Sequence, residues 1–562
     1  MATLNIRPVA SEPVISSIPD DDTPYDAKQP YNADEEALAA LGYKSEFKRE
    51  FSLYATCAVS FAILGLLPSF ASTLFFSMGY AGTAGMAWGW PIAMIGIQCV
   101  AMSMAELCSS MPTSGGMYYV AAVLAPPAWA PFASWVTCWS NWLVQITGAP
   151  SVNYGISSMI LAAASITNPS YKPTNLHTFL LASSIMVIHA VISSMPTRWL
   201  AQFNSAGSTF NFLAVVAVLV MIPAGTDRPE RGLSRFTPST EVWGTIHQGT
   251  SFPPGICVLM SFIGVIWTMS GCSAPFHLSE ECSNANIAAP RAIIATSSIG
   301  GVLGWALQLV VAYTVVDIPA VIASPLGQPF AAYLMQCMTQ KMALCILALT
   351  VVAGFSMGQG CMLAASRVTF AYARDDVFPG SNIWKVVNPY TKTPVNAVWG
   401  NAFIGICLLT LIFGGNLAVG ALFSIGGIAA FTSFTIPIAI RVFFVGDRFR
   451  PGPWNLGKYS IACGTVACSF VALMIPVLCF PSVTGSQLTA KTMNWTSLCY
   501  GAPMFIITCW WFISAHKWFT GPKLNIEHMM IGRDIVAVEA REVASDSDTD
   551  GANMSSDKIA KS

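Results

Sequence analysis

Apolar runs about as long as a bilayer is thick recur along this sequence, and most of its charged residues sit in the gaps between them. The runs fall at 51–77, 86–110, 131–164, 176–195, 199–223, 255–279, 292–316, 343–366, 395–413, 419–440, 460–480 and 497–518. A membrane-spanning helix takes roughly 20 apolar residues, and it alone satisfies every backbone N–H and C=O within one segment. Charged residues make up 10 % of the chain, against about 25 % in soluble proteins. The pattern predicts an all-α, polytopic membrane protein with 12 transmembrane helices. The third run is over-long for one crossing and is expected to tilt or project.

Composition removes several function classes. The net charge is −1 and there is no basic block, so nucleic acid is not an expected partner; the lipid bilayer and a small molecule are. Sixteen cysteines are present, but they form neither a CxxC motif nor a Cys/His cluster. Most lie inside apolar runs, where cysteine acts as a small hydrophobe. No metal site, structural disulfide or cofactor is expected. No nucleophile–base constellation supports a catalytic residue either.

Lysine and arginine set the expected orientation. With the N-terminus inside, the inner segments hold 21 of 27 of them, and the outer loops hold only Lys172, Arg228, Arg231, Arg235, Lys341 and Lys491. An even number of crossings puts both termini in the cytoplasm. Residues 1–45 are polar and acidic with no apolar core of a signal peptide, so the first span is expected to direct insertion. They and residues 521–562 read as disordered tails. The sequon Asn494-Trp495-Thr496 then faces outward, making Asn494 a glycosylation candidate.

Two runs are interrupted by residues that disfavour helix. The first contains Gly65-Leu66-Leu67-Pro68-Ser69, and the sixth contains Ser270-Gly271-Cys272-Ser273-Ala274-Pro275. Either could be an ordinary proline kink. Their positions argue for more, because the first run opens the chain and the sixth opens a second set of five spans. Breaks at matching positions of two halves are the best sequence pointer to a binding site at mid-membrane. Five is odd, so the halves are inverted: a 5+5 inverted repeat of 46–224 and 255–445, separated by an outer loop at 225–254, with 446–520 appended. A half-helix N-terminus suits a carboxylate, and Pro68 or Pro275 could open such a half-helix at its first position.

Other polar positions are candidates for lining or for helix–helix contact. Asn141, Gln145 and Gly148 share a face of the third run; Asn204, Gly207 and Asn211 share one of the fifth; Ser356, Gln359 and Gly360 share one of the eighth. His189 in the fourth run is expected to be a packing histidine with satisfied nitrogens. Glu106, Glu280, Glu281, Arg367 and Arg374 fall at the inner face, as solvated helix ends or as ion pairs of a gate. No Asp or Glu lies at mid-depth in the first, third, sixth or eighth run. A multiply charged amine would need one there, so a zwitterion or a quaternary amine is favoured over a polyamine.

Three stretches carry a resemblance. Ala105-Glu106-Leu107, followed by Pro112-Thr113-Ser114-Gly115-Gly116-Met117-Tyr118, is similar to a motif of the amino acid–polyamine–organocation transporters. Trp267-Thr268-Met269-Ser270-Gly271, with Glu280-Glu281, Asn284 and Pro290-Arg291, resembles that family's sixth helix and the loop after it. Ser366-Arg367, Ala373-Arg374-Asp375 and Pro379 resemble the end of its eighth helix. The wording of Gly65–Thr73 and Tyr80–Gly85 is similar to the fungal amino acid/choline branch, which includes GABA permeases. The resemblance spans about 42–520.

What the resemblance implies is a five-plus-five inverted fold working by alternating access. Substrate carboxylate would bind at Gly65, Leu66, Leu67, Pro68 and Ser69, and its amine at the carbonyls from Trp267 to Gly271, beside Ser270 and Cys272. Trp267, one turn before Gly271, would close over the substrate. Many relatives have Gly-Ser-Gly where this chain has Gly65-Leu66-Leu67. A helix 5 lysine implicated in proton coupling in some bacterial members corresponds to Asn211, so coupling, expected to be to protons, is not carried over through that residue. The expected function is uptake of a zwitterionic amino acid, GABA-like first and choline second, with polyamine transport and a non-transporting nutrient sensor as alternatives. The plasma membrane is the default location and the vacuolar membrane the alternative.

Overall fold

The structure is a computed structural model that describes residues 52–446, 449–489 and 492–522. The tails expected at 1–45 and 521–562 lie outside these residues, apart from Gly521 and Pro522. Nearly everything described is helical, and among the described residues the β-type pairing is a single bridge between Thr226 and Met338.

The helices are α1 (Leu53–Leu64), α2 (Leu66–Ser110), α3 (Met117–Leu124), α4 (Ala130–Thr167), α5 (Asn175–Ser193), α6 (Thr197–Ala224), α7 (Ser239–Gly244), α8 (Pro254–Ser261), α9 (Ile263–Met269) and α10 (Ala274–His277). There follow α11 (Ala285–Thr314), α12 (Ile318–Ile322), α13 (Pro329–Cys337), α14 (Gln340–Arg374), α15 (Ser381–Trp384), α16 (Val395–Leu409), α17 (Asn416–Ile440), α18 (Ser460–Leu478) and α19 (Thr496–Ile513). Among the described residues ten stretches are long and apolar enough to cross a membrane, and the longest, Leu53–Ser110, runs 58 residues. That stretch holds two of the apolar runs and is bent between them at Gly82, whose φ of 65° is open to glycine without strain. The third run forms the 38-residue α4, which is not among the ten and carries many Ser, Thr and Asn residues.

Packing follows the order of the runs. Helices whose runs are five apart lie against one another: α2 along α11, α4 along α14, α5 along α16, and α1 against the Ser270–Ser273 turn. The shared core is built from the buried faces of α2, α9, α11 and α14, including Phe70, Trp90, Ile266 and Ile293. The outward faces stay apolar, as Phe403, Phe505, Val302 and Leu213 show. A soluble protein cannot expose such a belt, whereas a lipid-facing surface requires it.

Candidate functional site

The two interrupted helices meet at their interruptions. α1 ends where Gly65 turns left-handed, at φ 47° and ψ 57°, and α2 starts at the next residue. Gly65 N–H still donates to Phe61 O at 3.1 Å, and Ser69 Oγ donates to Leu64 O at 3.0 Å. A carbonyl that the helix would leave unpaired is thereby held by a side chain. Pro68 is the third residue of α2 rather than its first, and the missing N–H is still among those a helix start leaves unused. The second interruption is gentler. Ser270–Ser273 winds as a 3₁₀ turn between α9 and α10, with right-handed dihedrals at both flanks. Pro275 is the second residue of α10. Gly271 sits directly against the backbone of α1 before Gly65.

Beside this crossing is a cavity of about 50 Å³ lined by α1, α4, α9, the 3₁₀ turn, α10 and α14. Gln145, Trp267, Ser270 and Gly271 all line it, as do Thr268, Ser273, Met357 and Cys361. Among the 13 lining residues none is charged. Gly65 and Ser69 border it through Met357: Ser69 Oγ is 3.4 Å from Met357 Sδ, and a Cβ added to Gly65 would meet that sulfur at 2.3 Å. Leu66, Leu67, Pro68, Cys272, Asn141 and Gln359 are not part of the lining.

A larger vestibule of about 440 Å³ opens at the end of the bundle that carries the loops around Gly249, Gly327 and Ser482. Tyr154 and Phe423 line it, and among the described residues no acidic or basic side chain does. Trp267 separates the two spaces. Its ring packs edge-on to Phe423 at 5.0 Å, in a cluster that includes Tyr154, while its other side faces the small cavity. Gly426 makes room for it, since a Cβ there would lie 2.3 Å from Trp267 Cζ3. The indole is 6 % exposed, so it stands as a wall between vestibule and cavity.

The opposite end is shut by ion pairs. Arg367 Nε donates to Glu281 Oε1 at 2.8 Å with both side chains buried, and Arg374 Nη2 reaches Glu280 Oε1 at 3.2 Å. Glu280 Oε1 also accepts the Ser114 N–H at 3.0 Å, which ties the 112–116 loop to the end of the broken helix. Gly116, at φ 57°, lets that loop pass: a Cβ there would lie 2.8 Å from His277 Cε1. Asn141 belongs to this layer, donating to Tyr372 Oη at 2.8 Å and lying 3.5 Å from His277 Nε2. Glu106, grouped in sequence with the gate carboxylates, goes elsewhere. It accepts Leu456 N–H at 3.1 Å and Ser460 Oγ at 2.5 Å, fastening the start of α18.

The remaining candidates have structural partners. Gln359 Nε2 donates to Ser193 Oγ at 2.8 Å. Asn211 Nδ2 donates to Gly207 O at 3.1 Å and to Ala353 O at 3.2 Å, bridging α6 to α14. Asn494 Nδ2, the nitrogen a glycan would occupy, donates to Leu478 O and Phe480 O at 3.0 Å each, and Thr496 is fully buried. In the folded chain that nitrogen is committed to closing the loop before α19. Residues that sequence reasoning missed are Met357, Tyr154 and Phe423. An apolar side chain inside an apolar run carries no mark of facing a cavity.

The profile of the amino acid permease family matches residues 51–505. An uncharacterized amino-acid permease of Schizosaccharomyces pombe is 54 % identical over 497 residues, covering 88 % of this chain and 91 % of that protein. A Candida albicans protein named "Putative polyamine transporter" is 46 % identical, covering 91 % of this chain and 92 % of its own. The amino-acid permease BAT1 of Arabidopsis thaliana is 31 % identical, with 87 % and 96 % covered.

Proposed function

We propose a cargo and a route from one premise: the chain belongs to the amino acid permease family, and is a transporter of amino acids or related amines, not an enzyme. The cargo is a small zwitterion, with GABA-like ω-amino acids first, and the route is alternating access between the vestibule and the ion-pair end. The observation that carries this reading is the uncharged lining of the cavity where the two broken helices cross. The N-terminal end of α2 offers a partial positive charge, and the C-terminal ends of α1 and α9 a partial negative one. Such a pair matches one carboxylate and one ammonium.

The route follows from what is open and what is shut. With twelve crossings and both termini inside, the vestibule faces outward and the Glu281–Arg367 pair faces the cytoplasm. Residues 46–224 and 255–445 then act as inverted halves that rock about the crossing. The cavity of about 50 Å³ is far below the roughly 300 Å³ of a ligand pocket. Entry of substrate therefore requires Trp267 to swing toward the vestibule. The plasma membrane is the proposed location.

The name of the Candida albicans relative favours a second reading, a polyamine cargo. A second ammonium group would need an acidic partner, which neither lining supplies among the described residues. Uptake of radiolabelled GABA, proline, choline and putrescine by cells lacking their own permeases decides between the two. Accumulation of GABA or proline is expected; accumulation of putrescine alone would overturn the zwitterion reading.

A further inference from the structure

A second polar site lies buried between α4, α5 and α14, outside the cavity. His189 of α5 is fully buried; its ring lies by the Phe355 backbone, and neither Nδ1 nor Nε2 makes a hydrogen bond of close geometry. Sequence reasoning expected a packing histidine with satisfied nitrogens, and the structure corrects this. The ring packs on Phe355 at 4.6 Å and against Gly358 of α14. The space that a Cβ on Gly358 would take is 3.1 Å from His189 Nδ1 and 2.8 Å from Asn153 Oδ1. Asn153, on α4, is also fully buried, and its Oδ1 lacks a partner. One turn further along α5, the Gln359 amide bonds Ser193 through Nε2 while its Oε1 is unpartnered.

Leaving a buried polar atom unpaired is costly, and here Asn153 Oδ1 lies beside the imidazole. Its chemistry has a direction. Asn153 Oδ1 can only accept hydrogen bonds, so the group it calls for is a donor. Neutral histidine offers one N–H, and imidazolium offers two. No carboxylate, ammonium or guanidinium lies on α4, α5 or α16, and on α14 the charged residues are at its ends, Lys341, Arg367 and Arg374. The titratable side chains on the packed helices nearest this level are Tyr154, Cys361 and Cys407. Tyr154, next to Asn153 in sequence, lines the vestibule. The site is thus one residue step behind the vestibule wall.

We infer that His189, with Asn153 as acceptor, is the proton-binding site of coupled transport. This rests on the transporter reading but not on which amine is carried. A proton arriving from the vestibule adds to the unprotonated ring nitrogen through its lone pair. The imidazolium formed then donates toward Asn153 Oδ1, directly or through one water. In the opposite half-cycle the same proton returns to water on the other side, and no other bond is made or broken. The site links α5 and α4, on one side, to α14 on the other, so its occupancy acts on elements that must move during alternating access.

The test joins a transport assay to a titration that needs no cargo. Purified protein is reconstituted in liposomes holding pyranine and given an inward proton gradient with radiolabelled GABA, proline or putrescine. The wild type is expected to acidify the lumen as it accumulates substrate. In His189→Gln, lumen acidification should vanish and the accumulation ratio should fall to unity, while exchange of internal for external substrate persists at a reduced rate. Separately, ¹⁵N-histidine NMR of the purified protein should show a signal, absent from His189→Gln, that titrates with pH. Asn153→Asp places a carboxylate beside the ring and should move that midpoint, and the pH profile of uptake, upward by about one unit. Proton-coupled accumulation in His189→Gln, substrate movement by the wild type without acidification, or a His189 signal that Asn153→Asp does not shift would each overturn the proposal. Failure of every cargo with a titrating, Asp-shifted signal would count against the cargo reading and not against the proton site.

Discussion

Gly271 lies flat against the backbone of Leu64: a methyl group at that glycine would stand 3.0 Å from both the Cα and the N of Leu64. The two interrupted helices therefore touch main chain to main chain, at the level of the cavity. Side chains cannot yield there, because the obstructing atoms are backbone. Gly271→Ala is expected to destabilise the protein by about 1–3 kcal/mol and to abolish uptake. A thermal unfolding scan in detergent, with uptake normalised to surface protein, checks both. A Tm and uptake equal to wild type would show that the helices separate freely at this point.

Gly65 faces a different obstacle. Its left-handed φ of 47° strains any other residue, and a Cβ would meet Met357 Sδ at 2.3 Å. The backbone strain alone costs about 1–2 kcal/mol. The thioether, by contrast, is flexible and can move aside. Gly65→Ala should thus lose stability by that amount, and Met357→Ala in the same background should recover only the part due to the clash. Full recovery in the double variant would mean that the left-handed turn itself carries no strain.

Much of this architecture was legible before any coordinates, and the reasons are physical. A bilayer forces long uniform apolar runs, and each run sits on helix in the structure. Glycine and proline inside runs 1 and 6 marked the crossing, because only an interior contact tolerates them there. The carboxylates and arginines of the ion-pair end were also visible, since charges near a span need partners. Which carboxylate takes which arginine was not: Glu106 turns to Ser460 and Leu456, because pairing depends on helix rotation that sequence spacing does not encode. Asn141 and Gln359 were placed on plausible faces, yet both end in layers next to the cavity rather than in its wall. One helical turn of offset decides that, and polar residues that join helices look the same in sequence as residues that line a site.

The Glu281–Arg367 pair is fully buried, whereas Arg374 opposite Glu280 keeps 14 % exposure. Removing one partner of a buried pair costs about 3–5 kcal/mol, since the other charge is left in a dry site. Arg367→Ala should therefore lose uptake and shift the bundle away from the closed state at this end. Arg374→Ala should do so more weakly. Cysteine accessibility to a membrane-impermeant maleimide, introduced at Ala364 in the cavity wall, reads the shift from the ion-pair side. Equal labelling in wild type and Arg367→Ala would refute a gating role.

Substrate charge can be tested by supplying what the cavity lacks. Gln145 lines it and is nearly buried, so Gln145→Glu introduces a carboxylate without changing shape. Zwitterions then meet a second negative charge near their own carboxylate, and dications gain a partner. Uptake of GABA or proline is expected to fall at least several-fold, with putrescine uptake rising in the same cells. If Gln145→Glu lowers transport of all of them alike, the cavity is not where cargo charge is read.

In the proposed route Trp267 is the wall that moves, and Gly426 is the space that lets it stand. A Cβ at Gly426 would lie 2.3 Å from the indole, so Gly426→Ala pushes the ring off Phe423 without touching its chemistry. The indole face can also meet an ammonium, worth about 0.5–2 kcal/mol depending on desolvation. Trp267→Leu should lose uptake at normal surface abundance, and Trp267→Phe should keep part of it because an aromatic face remains. Gly426→Ala should raise KM by displacing the ring while leaving an aromatic present. A purely packing role makes a different prediction: Phe and Leu would behave alike, and both would lower the Tm of the purified protein. Uptake in Trp267→Leu indistinguishable from wild type would remove the indole from the transport cycle altogether, leaving Phe423 and Tyr154 as the aromatic boundary of the vestibule.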